Sequence, residues 1–155
     1  MAIVVSRNVG VLGMQLLRAI ETDEATPVGI SVRTMVLTAG ASDQAIQRIA
    51  GLGCRIERED EIFSALDKLF TDPSGYGLFI MDADAFGGLA SGHRAFRLLG
   101  EVAAKVPMIM FSAECRDQVF PQGRESPTIL RAPLSAVSLR VGFEHALRAR
   151  MALYV

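Results

Sequence analysis

Two carboxylates, Asp82 and Asp84, close the run Leu78-Phe79-Ile80-Met81. A run apolar at every position predicts a strand buried on both faces, hence a central parallel strand. A carboxylate at its C-terminal end sits where open α/β sheets bind ligands and carry out chemistry. A second apolar run, Val106 to Phe111, ends at Ser112-Ala113. Neither carboxylate has a third acid nearby in the sequence, and Mg²⁺ asks for several oxygens in octahedral array. Asp82 and Asp84 are thus the weak candidates for a metal, and no resident cofactor is expected.

Other reactive side chains lead nowhere as chemistry. His93 and His145 have no Cys, His or Asp at metal spacing. Ser112 has no histidine in a hydrolase pattern. Cys54 and Cys115 form no CxxC and make no disulfide framework, so free thiols in a cytoplasmic protein are expected. Gly10-Val11-Leu12-Gly13 lacks the full glycine fingerprint of a dinucleotide site. Arg140, Arg148 and Arg150 share the last predicted helix, where the negative end of the dipole suits them.

The 155 residues are enough for one domain with a core, and half of them are hydrophobic. The net charge of -1 excludes a global field for nucleic acid or an anionic membrane. No apolar stretch approaches the ~20 residues of a membrane span, and no signal peptide is expected.

The elements follow from the periodicity. Met35-Val36-Leu37 predicts a buried strand leading to Thr38, with Ser42 or Asp43 capping a helix that turns Ile46, Ile49 and Ala50 inward. Cys54 to Glu57 alternates, as an edge strand does. Asp60 is the expected cap of a helix with Ile62, Phe63, Leu66, Leu69 and Phe70 inward. A helix is predicted over about 91–104, with Phe96, Leu99 and Val102 inward. Thr128-Ile129-Leu130 predicts a short strand before Pro133. The last helix, about 135–152, carries Leu139, Phe143, Ala146, Leu147 and Met151 on one face. Five βα units predict a flavodoxin-like α/β fold, a doubly wound parallel sheet of order 2-1-3-4-5. Residues 1–31 form an N-terminal extension, an extra βα element with Ala2 to Val5 as strand and Val9, Leu12, Leu16 and Ile20 on one helical face. It packs on the domain or serves as a dimerisation or docking element.

Over residues 32–155 the chain resembles the receiver domain of two-component response regulators. Asp82 matches the phospho-acceptor at the end of the third strand. Ser112-Ala113 matches the Ser/Thr-Ala pair after the fourth, and Ala132-Pro133 matches a Lys-Pro pair after the fifth, with the lysine lost. Where the family carries two acids after its first strand, this chain has Thr38-Ala39-Gly40, or Ser6-Arg7-Asn8 if the first strand lies earlier. The family's switch aromatic falls on Ile129. Arg131, one residue before the missing lysine, points to the opposite face of an extended segment.

The resemblance implies a signal-transduction module without enzymatic activity. Its pocket would comprise Asp82 supported by Ser112, Ala113, Asp84, Thr38, Ala132 and Pro133. Phosphoryl transfer gathers charge that Mg²⁺ and a lysine normally neutralise, and both supports are missing. The expectation is a degenerate module that acts by binding protein, with Asp82 hydrogen-bonded to loop amides or Ser112. Mg²⁺ enters only if Asp82 is phosphorylated. The expected partner is a sensor kinase, another regulator or a second copy, met on a face with Ile129, Arg131 and Arg140. The polar segment from Glu114 to Ser126 leaves the fourth helix short or displaced. No output domain is expected beyond the last helix. The alternatives are a phosphorylatable receiver using Asp82 with an atypical metal site, and a flavodoxin-type ligand-binding domain or enzyme.

Overall fold

The computed structural model describes residues 31–39 and 43–151. The extension 1–30, the Gly10-Gly13 turn, the Ser42 cap and the side chains of Asp43, Arg150 and Met151 lie outside the described residues.

Five parallel strands form one sheet: β1 (Arg33–Leu37), β2 (Arg55–Glu59), β3 (Leu78–Asp82), β4 (Met108–Ser112) and β5 (Thr128–Arg131). Their order is β2-β1-β3-β4-β5, as the periodicity predicts. β3 and β4 are buried at every position because helices cover both faces. The helices are α1 (Asp43–Ala50), α2 (Ile62–Thr71), α3 (Leu89–Leu99), α4 (Val102–Lys105) and α5 (Ala136–Met151).

Residue parity sorts the core into two layers. Met35, Leu37, Phe79, Met81, Met108 and Met110 pack against Leu66 and Leu69 of α2 and Ala95 and Leu99 of α3. Val36, Leu78, Ile80, Ile109, Phe111 and Leu130 pack against Ile49 of α1 and Leu139, Phe143 and Ala146 of α5. One strand thus feeds two cores, and a one-residue slip would exchange them.

Several local expectations are corrected. Glu61, and not Asp60, caps α2: its carboxylate accepts from the backbone N–H of Phe63 at 3.1 Å and Ser64 at 2.8 Å. The predicted helix over 91–104 is two helices, broken where Gly100 takes φ +54. Ala50 is exposed, and Phe63 and Phe70 point to solvent instead of inward, 67% and 48% exposed. No helix lies between β4 and β5. That segment instead pairs Val119 with Ile129 in an antiparallel bridge.

At the edge of the sheet Arg33 and Tyr76 converge on Glu57. Arg33 Nη2 donates to Glu57 Oε1 at 2.7 Å, and the Tyr76 hydroxyl donates to Oε2 at 2.6 Å. The guanidinium also lies over the Tyr76 ring, 4.3 Å from its centroid. Burial and the Glu57 bond push the Tyr76 phenol up to about 12, and the same bond lowers Glu57.

Two outcomes follow. In a Tyr154→Phe background, absorbance titration will show Tyr76 ionising well above 10, and Glu57→Gln will lower that midpoint. Because the folded-state value is raised, the stability from this group is present below pH 10 and is lost as pH rises through about 12. Second, a Cβ on Gly92 would meet Met110 Sδ at 2.2 Å, where α3 lies against β4. Gly92→Ala will therefore destabilise the fold by about 1–3 kcal/mol in urea unfolding.

Candidate functional site

Register decides which side chains meet at the C-terminal edge of the sheet. Asp82 is level with Phe111 of β4, and both face the α1/α5 layer. Ser112, one residue on, has the parity of Met110 and faces the α2/α3 layer. The two residues that the sequence places in one pocket therefore leave the sheet on opposite sides.

Asp84 bridges to Ser112 instead. It lies in the 3₁₀ turn Ala83–Phe86. Its Oδ1 accepts the Ser112 hydroxyl at 2.5 Å and its Oδ2 accepts the Ala113 N–H at 2.7 Å. Serine has one hydroxyl hydrogen, so none remains for Asp82. Of the two partners expected for Asp82, loop amides or Ser112, the Ser112 hydroxyl donates to Asp84. The clasp continues: Ser112 Oγ accepts from the Glu114 N–H at 3.0 Å, and the Glu114 carboxylate accepts from the Leu89 N–H at 2.7 Å. That carboxylate sits on the first turn of α3, where Gly88 provides no side-chain cap. Gly88 has φ +93, and a Cβ there would lie 2.5 Å from Glu114 Oε1.

Asp82 itself is buried, 9% exposed, and has an interaction of its own within the fold. It lines a cavity of about 340 Å³ with Asp84, Phe111, Ala132, Pro133 and Leu134. Gln44, Ala45 and Arg48 of α1 close its other side. Arg48 corrects the expectation of a pocket short of charge. Its Nε is buried without a hydrogen-bond partner. Thr38 is buried at the end of β1, and its hydroxyl likewise has no partner, but it does not line the cavity. Ala132 and Pro133 are joined by a cis peptide bond.

Among the described residues no three His, Cys, Asp or Glu side chains gather as a metal group. Each Asp84 oxygen accepts one hydrogen bond, and two hydrogen bonds to a charged acceptor are together worth about 3–6 kcal/mol.

The expected partner face is changed as well. Ile129 is buried, with its N–H and C=O bonded to Val119. The Arg131 guanidinium points away from Asp82, as alternation predicts, and donates to the carbonyls of Cys115 and Arg116. Arg140 is half-buried and partnered. Val137 and Val141, one turn apart on α5, are exposed large apolar residues among the described ones, 74% and 45% exposed. His145 is a packing residue: its Nε2 is 2.5 Å from the Pro121 carbonyl, and its ring meets Phe120 edge-on. Burial pushes the Cys115 thiol up. Among the described residues no helix is long and apolar enough to cross a membrane.

No protein-family model matches the sequence, and no curated protein matches it. Solved structures do match. A response regulator receiver domain protein from Clostridium thermocellum superposes with a TM-score of 0.61 at 14% identity, covering 79% of this chain and 98% of that one. The signal receiver domain of a putative LuxO repressor protein from Vibrio parahaemolyticus gives 0.60 at 15%, covering 79% and 95%. The non-phosphorylated HemR receiver domain from Leptospira biflexa gives 0.56 at 16%, covering 76% and 94%. This is the receiver-domain fold. Asp82 stands in it at the end of the third strand, as the resemblance requires.

Asp84→Ala will strand the Ser112 hydroxyl and the Ala113 amide. It is expected to cost about 1–3 kcal/mol per orphaned group in denaturant unfolding. Ser112→Ala in that background is expected to bring no recovery, because it removes the hydroxyl orphan but frees the Glu114 N–H that the hydroxyl oxygen accepts.

Proposed function

We propose that this chain is a receiver-fold signalling module that works without aspartyl phosphorylation, by binding protein. The observation that carries the reading is the commitment of Asp84 to Ser112 and Ala113, with Arg48 in the Asp82 cavity. Phosphoryl transfer to a carboxylate is catalysed by positive charge on the transferring oxygens. Here the second carboxylate that would hold Mg²⁺ is bonded elsewhere, and Ala132 offers no ammonium.

The partner-binding face is Val137 and Val141 of α5, flanked by Arg140. Two exposed valines one turn apart are an apolar strip that a protein surface can cover. The partner is a sensor kinase or another regulator, and a second copy of the chain would use the same strip.

A second reading rests on Arg48. A guanidinium lining the Asp82 cavity could neutralise phosphate oxygens without metal, making Asp82 a phospho-acceptor of atypical site. A nucleotide or flavin reading has less support. The Gly87-Gly88 turn at the strand ends already holds the Glu114 carboxylate, which repels a phosphate.

Incubation with acetyl phosphate, with and without Mg²⁺, separates these readings by intact mass. No phosphoryl gain is expected in either condition. A gain abolished by Asp82→Asn overturns the proposal. If that gain is independent of Mg²⁺ and abolished by Arg48→Ala, the second reading stands in its place.

A further inference from the structure

The face of the domain opposite the Asp82 cavity carries an uncovered apolar groove. Phe63, Leu66 and Phe70 of α2 and Leu98 of α3 line it, and it encloses about 660 Å³. Phe63, Phe70 and Leu98 are 67%, 48% and 48% exposed. Glu61 and Asp67 form its rim. Phe63, Leu66 and Phe70 fall at i, i+3 and i+7, one stripe of the helix. The stripe is wider than the sheet needs, since Leu66 and Leu69 already fill the core side.

We propose that this groove is the docking site for the chain's own residues 8–20. Three observations select this occupant. The first is reach. The described chain begins at Ser31-Val32, and Arg33 is 3.6 Å from Asp72, the residue that ends α2 two positions after Phe70. The N-terminal segment therefore enters the domain at the end of the groove. Residues 21–30 extend up to about 33 Å, and a ten-residue helix such as α2 is about 15 Å long.

The second is pattern. Val9, Leu12, Leu16 and Ile20 recur at i, i+3, i+7 and i+11, an apolar stripe that matches the groove in kind. The third is charge. Residues 8–20 contain Arg18 and no acid, the acids Glu21, Asp23 and Glu24 falling in the connecting stretch, whereas Glu61 and Asp67 edge the groove. A second copy of the chain meeting this face about a two-fold axis would set the same two acids against themselves.

Hydrogen–deuterium exchange on the full chain, followed peptide by peptide, tests the proposal, with light scattering on the same samples. Amides of residues 9–20 are expected to exchange at least tenfold slower than free-chain rates in a monomeric sample. The protection is expected to vanish in Phe63→Ser/Phe70→Ser, while β3 amides stay protected. It is also expected to vanish in Leu12→Asp/Leu16→Asp, a change outside the described residues. Free-chain rates in the unmodified protein overturn the proposal. So does protection of 9–20 that survives Phe63→Ser/Phe70→Ser. Protection that grows with concentration alongside a dimer mass overturns it too, and assigns the groove to a second copy.

Discussion

Asp84 joins the ends of β3 and β4. Its two oxygens take the Ser112 hydroxyl and the Ala113 amide, so one carboxylate satisfies donors from a strand end and from the turn after it. The rest of the upper edge is built on this clasp. With Ser112 held, its oxygen receives the Glu114 amide. With Glu114 held, its carboxylate reaches the first turn of α3. The start of α3 and the irregular segment after β4 are thereby tied together without a regular helix between β4 and β5. Charge-assisted bonds of this kind are stronger than neutral ones, and each link orders the donor that the next one uses.

The clasp also settles the surroundings of Asp82. In a parallel sheet neighbouring strands keep their pleats in phase, so a side chain shares a face with its level partner and not with the residue after it. Asp82 is level with Phe111, and Ser112 is level with Arg131. Ser112 and Arg131 therefore belong to one side, and Asp82 belongs to the other. Parity places Arg131 away from Asp82 from sequence alone. The same parity, applied to Ser112, excludes the bond to Asp82 and leaves Asp84 as the carboxylate that can reach it after a short turn.

The strands were legible because burial on both faces leaves continuous apolar runs, and the strand order follows from the βα alternation. What stayed hidden depends on geometry that composition does not carry. Gly100 inside an apolar-periodic stretch reads as tolerated until its φ is known. Glu61 caps α2 from a longer side chain than the usual Asp or Ser, one residue later than Asp60. Phe63 and Phe70 share the helical period of the core residues, and only the width of the buried stripe tells them apart. Arg48 was hidden for a similar reason. Beside Ile49 on α1 it reads as a solvated charge, yet it lies four residues after Gln44, on the turn that overlooks the strand ends.

These placements bear on how a switch could operate here. A phosphoryl group on Asp82 would acquire leverage over the fold by drawing a strand-end hydroxyl toward itself. Ser112 is turned to the other layer, and its hydrogen is engaged by Asp84. Pulling it across would break its one bond to the charged Asp84 carboxylate, a cost of about 1.5–3 kcal/mol, and would release the Glu114 amide that its oxygen accepts. A population shift from 1:99 to 99:1 takes about 5.5 kcal/mol by itself. The modification would have to supply both, in a cavity whose identified cation is Arg48 of α1. Asp82 faces a cavity lined by Arg48 of α1 and Phe111 of β4, on the side of the sheet away from the groove of α2 and α3. A signal read at that groove would have to travel through α3, whose first turn is held by Glu114 and whose Gly92 lies directly against Met110.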